Sequence, residues 1–143
     1  MPKVVTLLVL ANERRARLLE NAGPGTGLAE IEGVARPPMA DFADRKGRMQ
    51  MGGGARHGFE PKTLPADHDR AAFAKELVEV IADHAKARPF DRLMIAAPPK
   101  MLGLLRAALP GDLARRLVYD TPLDLIDERP EDLAPHFAAA VRL

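Results

Sequence analysis

The sequence predicts an α/β protein: a single domain over residues 1–143, with helices packed on a mixed five-stranded sheet. Three observations carry that expectation. An almost continuously apolar, β-branched run opens the chain at Val4–Ala11, the composition of a central strand buried on both faces. Short, turn-rich connections follow it, which suit antiparallel neighbours. Beyond about residue 66, helical and strand patterns alternate, which calls for right-handed parallel crossovers. The chain of 143 residues, 47% hydrophobic, is long enough to bury a core without disulfide or metal staples.

The polar stretch Asn12–Arg15 breaks the first strand. A second strand follows in "ARLLENAG", with Leu18 and Leu19 as its apolar pair. "GPGTG" (Gly23–Gly27) has the composition of a turn. "LAEIEGVA" (Leu28–Ala35) alternates weakly and reads as a third strand near an edge. Pro37-Pro38 then stops regular structure. Neither a helical nor a strand period lasts from there to Ala66, and the expectation is a long flexible loop at about 36–66. Loops beyond ~12–15 residues are uncommon in compact domains and are usually functional or disordered.

Order returns in a helix that Asp67 or Asp69 would cap, and that Pro89 stops. Phe73, Leu77, Val80, Ile81 and His84 form its apolar stripe, so His84 is expected as a satisfied core histidine. "DRLMIAAP" (Asp91–Pro98) is a buried strand, and Pro99 opens a helix through "KMLGLLRAAL". "PGDLARR" adds a short turn or helix, and "LVYD" (Leu117–Asp120) is the fifth strand. Leu133, Phe137 and Val141 give a last helical stripe, in which Pro135 must start the helix or kink it. The order β-β-β-α-β-α-β-α is the ribonuclease-H-like arrangement.

Composition removes several kinds of chemistry. Without cysteine or serine, the chain offers no thiol or serine nucleophile and no thiolate metal site. The carboxylates near strand ends (Glu13, Glu20, Asp120) are too few for a two-metal nuclease. The four histidines lack zinc spacing. No metal or cofactor is expected. The start "MPKVVTLLVLANE" has a short apolar run followed by charge, unlike a signal peptide, and no stretch approaches the ~20 apolar residues of a membrane helix. A cytoplasmic protein without membrane insertion is expected.

Net charge is only +1, but its distribution is uneven. Between Arg36 and His57 stand five basic residues against two acidic ones, while Asp120–Asp132 holds six acids and one arginine. Within the basic segment, Gly52, Gly53 and Gly54 precede Arg56 and His57. Consecutive glycine amides can form an anion nest, a guanidinium suits phosphate, and an imidazole can donate to an anion or move a proton. The spacing is neither of the two nucleotide-binding glycine fingerprints. Lys100 and Arg106 fall near a strand end and a helix start, where ligands gather in open α/β sheets.

Three segments, "LLVLANERRARLLENAGPGTGL", "GGGARHGFEP" and "FDRLMIAAPPKMLGLLRAAL", resemble the bacterial family described as required for attachment to host cells. Members show Ala-Asp-Gly-x-x-Ala-Arg after the first strand, a Gly-Arg/Ala-Arg-His loop, and Ala-Pro-Pro-x-x-Leu-Gly-x-Leu-Arg. Ala11, Ala16 and Arg17 match the first pattern, and Arg56 and His57 the second. Ala97, Pro98, Pro99, Leu102, Gly103, Leu105 and Arg106 match the third. Asn12 stands where members have Asp. Arg17 thereby joins Gly52, Gly53, Gly54, Arg56, His57, Lys100 and Arg106 as a candidate ligand residue. The implied fold is similar to the middle domain of archaeal and eukaryotic release factors, whose Gly-Gly-Gln loop promotes peptidyl-tRNA hydrolysis. Here Ala55 follows the glycines, and Gln50 precedes them. Three readings stand at this point: a non-catalytic module that binds RNA, the ribosome or a protein; a hydrolase of peptidyl-tRNA or another ester; and a surface attachment factor.

Overall fold

The computed structural model of the chain describes residues 4–35, 65–141 and 143. The segment expected as a long loop, with Gly52–Gly54, Arg56 and His57, therefore lies outside the described residues apart from its last two positions. The expected sheet is present: five strands in the spatial order β3-β2-β1-β4-β5. Strand β1 (Thr6–Ala11) is central and buried along its whole length. It pairs antiparallel with β2 (Arg15–Asn21) and parallel with β4 (Arg92–Ala96). Strand β3 (Ala29–Ala35) is an edge, as its weak alternation implies, and is mostly exposed, and β5 (Leu117–Thr121) is the opposite edge, parallel to β4.

Strand alternation sends side chains to two separate cores. Leu7, Val9, Leu18, Leu93 and Ile95 face helices α1 (Pro65–Ala87) and α2 (Pro99–Ala108) and the short α3 (Gly111–Ala114). Leu8, Leu10, Leu19 and Met94 face α4 (Pro130–Phe137), together with Leu125 and Ile126 from the approach to it. The sheet is thus sandwiched between helices of unequal mass.

Helix α1 buries Phe73, Leu77 and Ile81 as its period requires, with Val80 at the margin. Its start differs from the capped one expected. The helix is already running at Pro65, where proline's fixed φ suits a first turn, so Asp67 and Asp69 fall inside it. His84 is buried in the core as expected, with its ring stacked 6.4 Å from that of Phe90. It is not satisfied, however: its buried Nε2 has no hydrogen-bond partner, because the ring's neighbour is an apolar face. Pro130, rather than Pro135, opens α4, and Pro135 is accommodated inside it. Val141 packs on the second core from beyond the end of α4 instead of extending its stripe.

The β2–β3 turn is organised by Asn21, which is fully buried. Its Nδ2 donates to the Gly27 carbonyl at 2.8 Å, and its Oδ1 accepts from the Gly23 amide at 3.1 Å. Gly25 and Gly27 have φ of 80° and 77°, a region where a side chain is strained.

Candidate functional site

The carboxyl ends of β1 and β4 gather the features that could receive a ligand. Beyond β1, the Asn12 Oδ1 accepts from the amides of Arg14 and Arg15 at 2.8 and 2.9 Å. This side-chain turn starts β2 in register. The task needs only an acceptor oxygen, so asparagine does there what aspartate would do. Glu13, at the tip of the turn, accepts from Nε and Nη2 of Arg70 at 3.0 and 2.8 Å. That pair ties the first turns of α1 to the β1–β2 turn.

Arg70 then forms one wall of a cleft of about 360 Å³ between α1 and α2, completed by Lys100, Gly103 and Leu104. A smaller groove of about 200 Å³ is lined by Ala71, Ala74 and Ala107 and shares Leu104 with the cleft. Small side chains keep the two helices close while leaving this furrow open. Lys100 lies in the first turn of α2, is exposed, and has no ion-pair partner among the described residues. That turn carries no acidic side chain, so the ammonium and the positive end of the helix add. The cleft is therefore a small apolar furrow with a cationic mouth.

The other expected ligand residues are placed differently. Arg106 extends from α2 to Asp120 on β5, with a two-point pair at 2.8 and 2.7 Å. That hydrogen bond, then the carboxylate's charge, raises the guanidinium pKa above its ordinary value. Arg106 is 54% exposed, and water screens such pairs. Arg106→Gln should accordingly leave the thermal midpoint unchanged within error, as differential scanning calorimetry would show.

Arg17 projects to the opposite face of the sheet. Its Nε and Nη2 donate to Glu30, and its Nη1 donates to the carbonyls of Ile126 and Glu128, both at 2.7 Å. Arg15, two residues away on the same face, pairs with Asp127. Together these arginines clamp the turn that leads into α4. The hydrogen bond from Arg17 holds the Glu30 carboxyl below its ordinary range, against the opposing effect of burial. An incoming anion would have to displace these internal acceptors.

The structure thus brings Lys100 into the cleft and leaves Arg106 and Arg17 committed to protein partners. Arg70 is a cleft residue that the sequence did not single out, and Glu13, weighed there only as a metal ligand, is the carboxylate that holds it. The signal was faint: an arginine and a glutamate 57 positions apart. Both stems of segment 36–64 reach this end of the sheet, since Ala35 pairs with Arg15 and Pro65 opens the helix that Arg70 anchors. Among the described residues, no group of three or more His, Asp or Glu is placed to hold a metal ion. No described helix is long and apolar enough to cross a membrane.

A sheet in the order 3-2-1-4-5, with helices on both faces and a cationic cleft at its carboxyl end, defines a ribonuclease-H-like α/β protein. The chain belongs to the family described as "Protein required for attachment to host cells", whose model matches residues 7–137. No curated protein matches it. Among solved structures, the chain is similar to the archaeal translation termination factor aRF1, at 11% identity and a TM-score of 0.46, over 87% of this chain and 32% of that one. It is also similar to a structure titled "Archaeal protein", at 10% identity and a TM-score of 0.47, over 94% of this chain and 38% of that one. The chain thus spans less than two fifths of the length of either.

Proposed function

We propose that this chain is a non-catalytic binding module, acting in the cytoplasm, that takes RNA by its phosphates at the carboxyl end of the sheet. The observation that supports this most is Lys100, a cation in the mouth of the α1–α2 cleft with no ion-pair partner among the described residues. Arg70 stands beside it, and both stems of the segment whose sequence carries the basic excess lead to the same end. Binding of this kind needs no stacking platform, which fits a chain that is only 4% aromatic. Such a module would act on host attachment indirectly.

Fluorescence anisotropy with a labelled single-stranded RNA, titrated across salt concentrations, tests the reading. Wild-type affinity should fall steeply with salt. Lys100→Glu should weaken binding about tenfold and shallow the log–log salt slope by about 1. Arg56→Ala should act in the same direction. No affinity at low salt, or two variants indistinguishable from wild type, would overturn the proposal.

A further inference from the structure

The amino-terminal end of the parallel strands, on the α4 side, carries a polar feature that the cleft does not explain. Asn21, Thr6 and Arg92 are register partners across β2, β1 and β4. Partners in register point to the same face, so the three side chains form a row beside Leu19, Leu8 and Met94. The Asn21 amide is fully engaged in its turn. The other two are not. Thr6 is 0% exposed, and its Oγ1 has no hydrogen-bond partner. The Arg92 Nε is likewise buried without an acceptor. No carboxylate pairs with the Arg92 guanidinium among the described residues. The adjacent Asp91 is engaged elsewhere, accepting from the Val5 amide at 2.8 Å.

Buried polar groups are nearly always satisfied, and buried cations are nearly always paired. Here a hydroxyl and a guanidinium Nε on neighbouring strands, whose spacing is about 4.8 Å, both lack an acceptor among the described residues. What they share is a need for oxygen lone pairs, and Arg92 needs negative charge as well. Arg92 is only partly buried, so the row opens to solvent at its side. Val141 and Leu143 pack on the same face, and the Leu143 carbonyl accepts from the Gly25 amide in the turn that Asn21 organises.

We propose that Thr6 and Arg92 form a binding site for a small oxyanion, its oxygens accepting from Thr6 Oγ1 and from Nε and Nη of Arg92. The ligand class is a phosphate or a carboxylate. The site lies at the opposite end of β1 and on the opposite face from Lys100, and it is independent of RNA binding.

Thermal unfolding of the full chain, in chloride, inorganic phosphate and acetate at matched ionic strength, tests it. One of the two oxyanions should raise the wild-type midpoint in a saturable way, and which one does so separates a tetrahedral ligand from a planar one. Lys100→Ala should keep the shift. Arg92→Met should abolish it, and Thr6→Val should weaken the apparent affinity about tenfold, the loss of one charge-assisted hydrogen bond. In chloride alone, Thr6→Val should melt no lower than wild type, since an isosteric methyl replaces an unpaired hydroxyl. The proposal is overturned if neither oxyanion acts beyond chloride, or if the shift survives in both variants. Should Arg92→Met fail to fold, Thr6→Val decides alone: a wild-type response from it sinks the site.

Discussion

Phe137→Ala should cost about 3–5 kcal/mol of folding stability, the usual range for an aromatic removed from a core. Phe137 is completely buried and meets Tyr119 edge to face at 5.9 Å. It belongs to the core that joins α4 to Leu8, Leu10, Leu19 and Met94. Helix α4 has eight residues, with Pro135 inside it. A helix so short cannot sustain itself in water, so its anchoring falls to Leu133 and Phe137, the two side chains it buries. Urea unfolding gives the test. A lowered midpoint with an unchanged slope would mark a cavity within an intact fold. A lowered slope would mean that α4 has left the sheet before unfolding begins. A midpoint unaltered by the substitution would refute the anchoring role.

Arg17→Met should destabilise by about 2–3 kcal/mol, because it strands acceptors that a charged donor now satisfies. The carbonyls of Ile126 and Glu128 lose their partner, and Glu30 loses its counter-ion. RNA affinity should not change. The opposite pattern, unaltered stability with weakened binding, would restore Arg17 to the ligand set. The pair also leaves a pH signature. Glu30 is held below its ordinary 4.5 by Arg17, so its contribution is complete above that value. It is lost as pH falls through the lower folded value. Glu30 is 42% exposed, so screening keeps the effect small. Glu30→Gln should slightly flatten the fall in melting temperature between neutral pH and pH 3, and a curve that coincides with wild type would remove Glu30 from the acid response.

The elements were legible because their signals are local. Val4–Ala11 is apolar apart from Thr6, and the strand it forms is the one shielded on both faces. Phe73, Leu77 and Ile81 repeat at helical spacing and are buried together. Boundaries drifted where a local signal had a rival, as at Pro65, where a proline start took precedence over the aspartates behind it. The roles of charged residues were much less legible. Arg17 reads as a free cation beside an apolar pair, but its acceptors lie 13, 109 and 111 positions away. Arg106 likewise meets Asp120 only after α3 and β5 have formed. Composition cannot report partners that only tertiary structure brings into reach. Thr6 and Arg92 are the same lesson reversed, because neither looks notable until register sets them side by side.

The central position of β1 bears on the order in which the chain assembles. One of its neighbours, β2, begins four positions downstream at Arg15, whereas the other pairs Thr6 with Arg92. The β1–β2–β3 meander can close early at small entropic cost, but β4 must cross most of the chain to arrive. Until it does, "TLLVLA" presents a bare, hydrophobic strand edge to its surroundings. That interval is when the nascent protein is most exposed to pairing with the wrong chain. Yield on refolding or expression should therefore depend on how quickly β4 docks, more than on the stability of the finished fold.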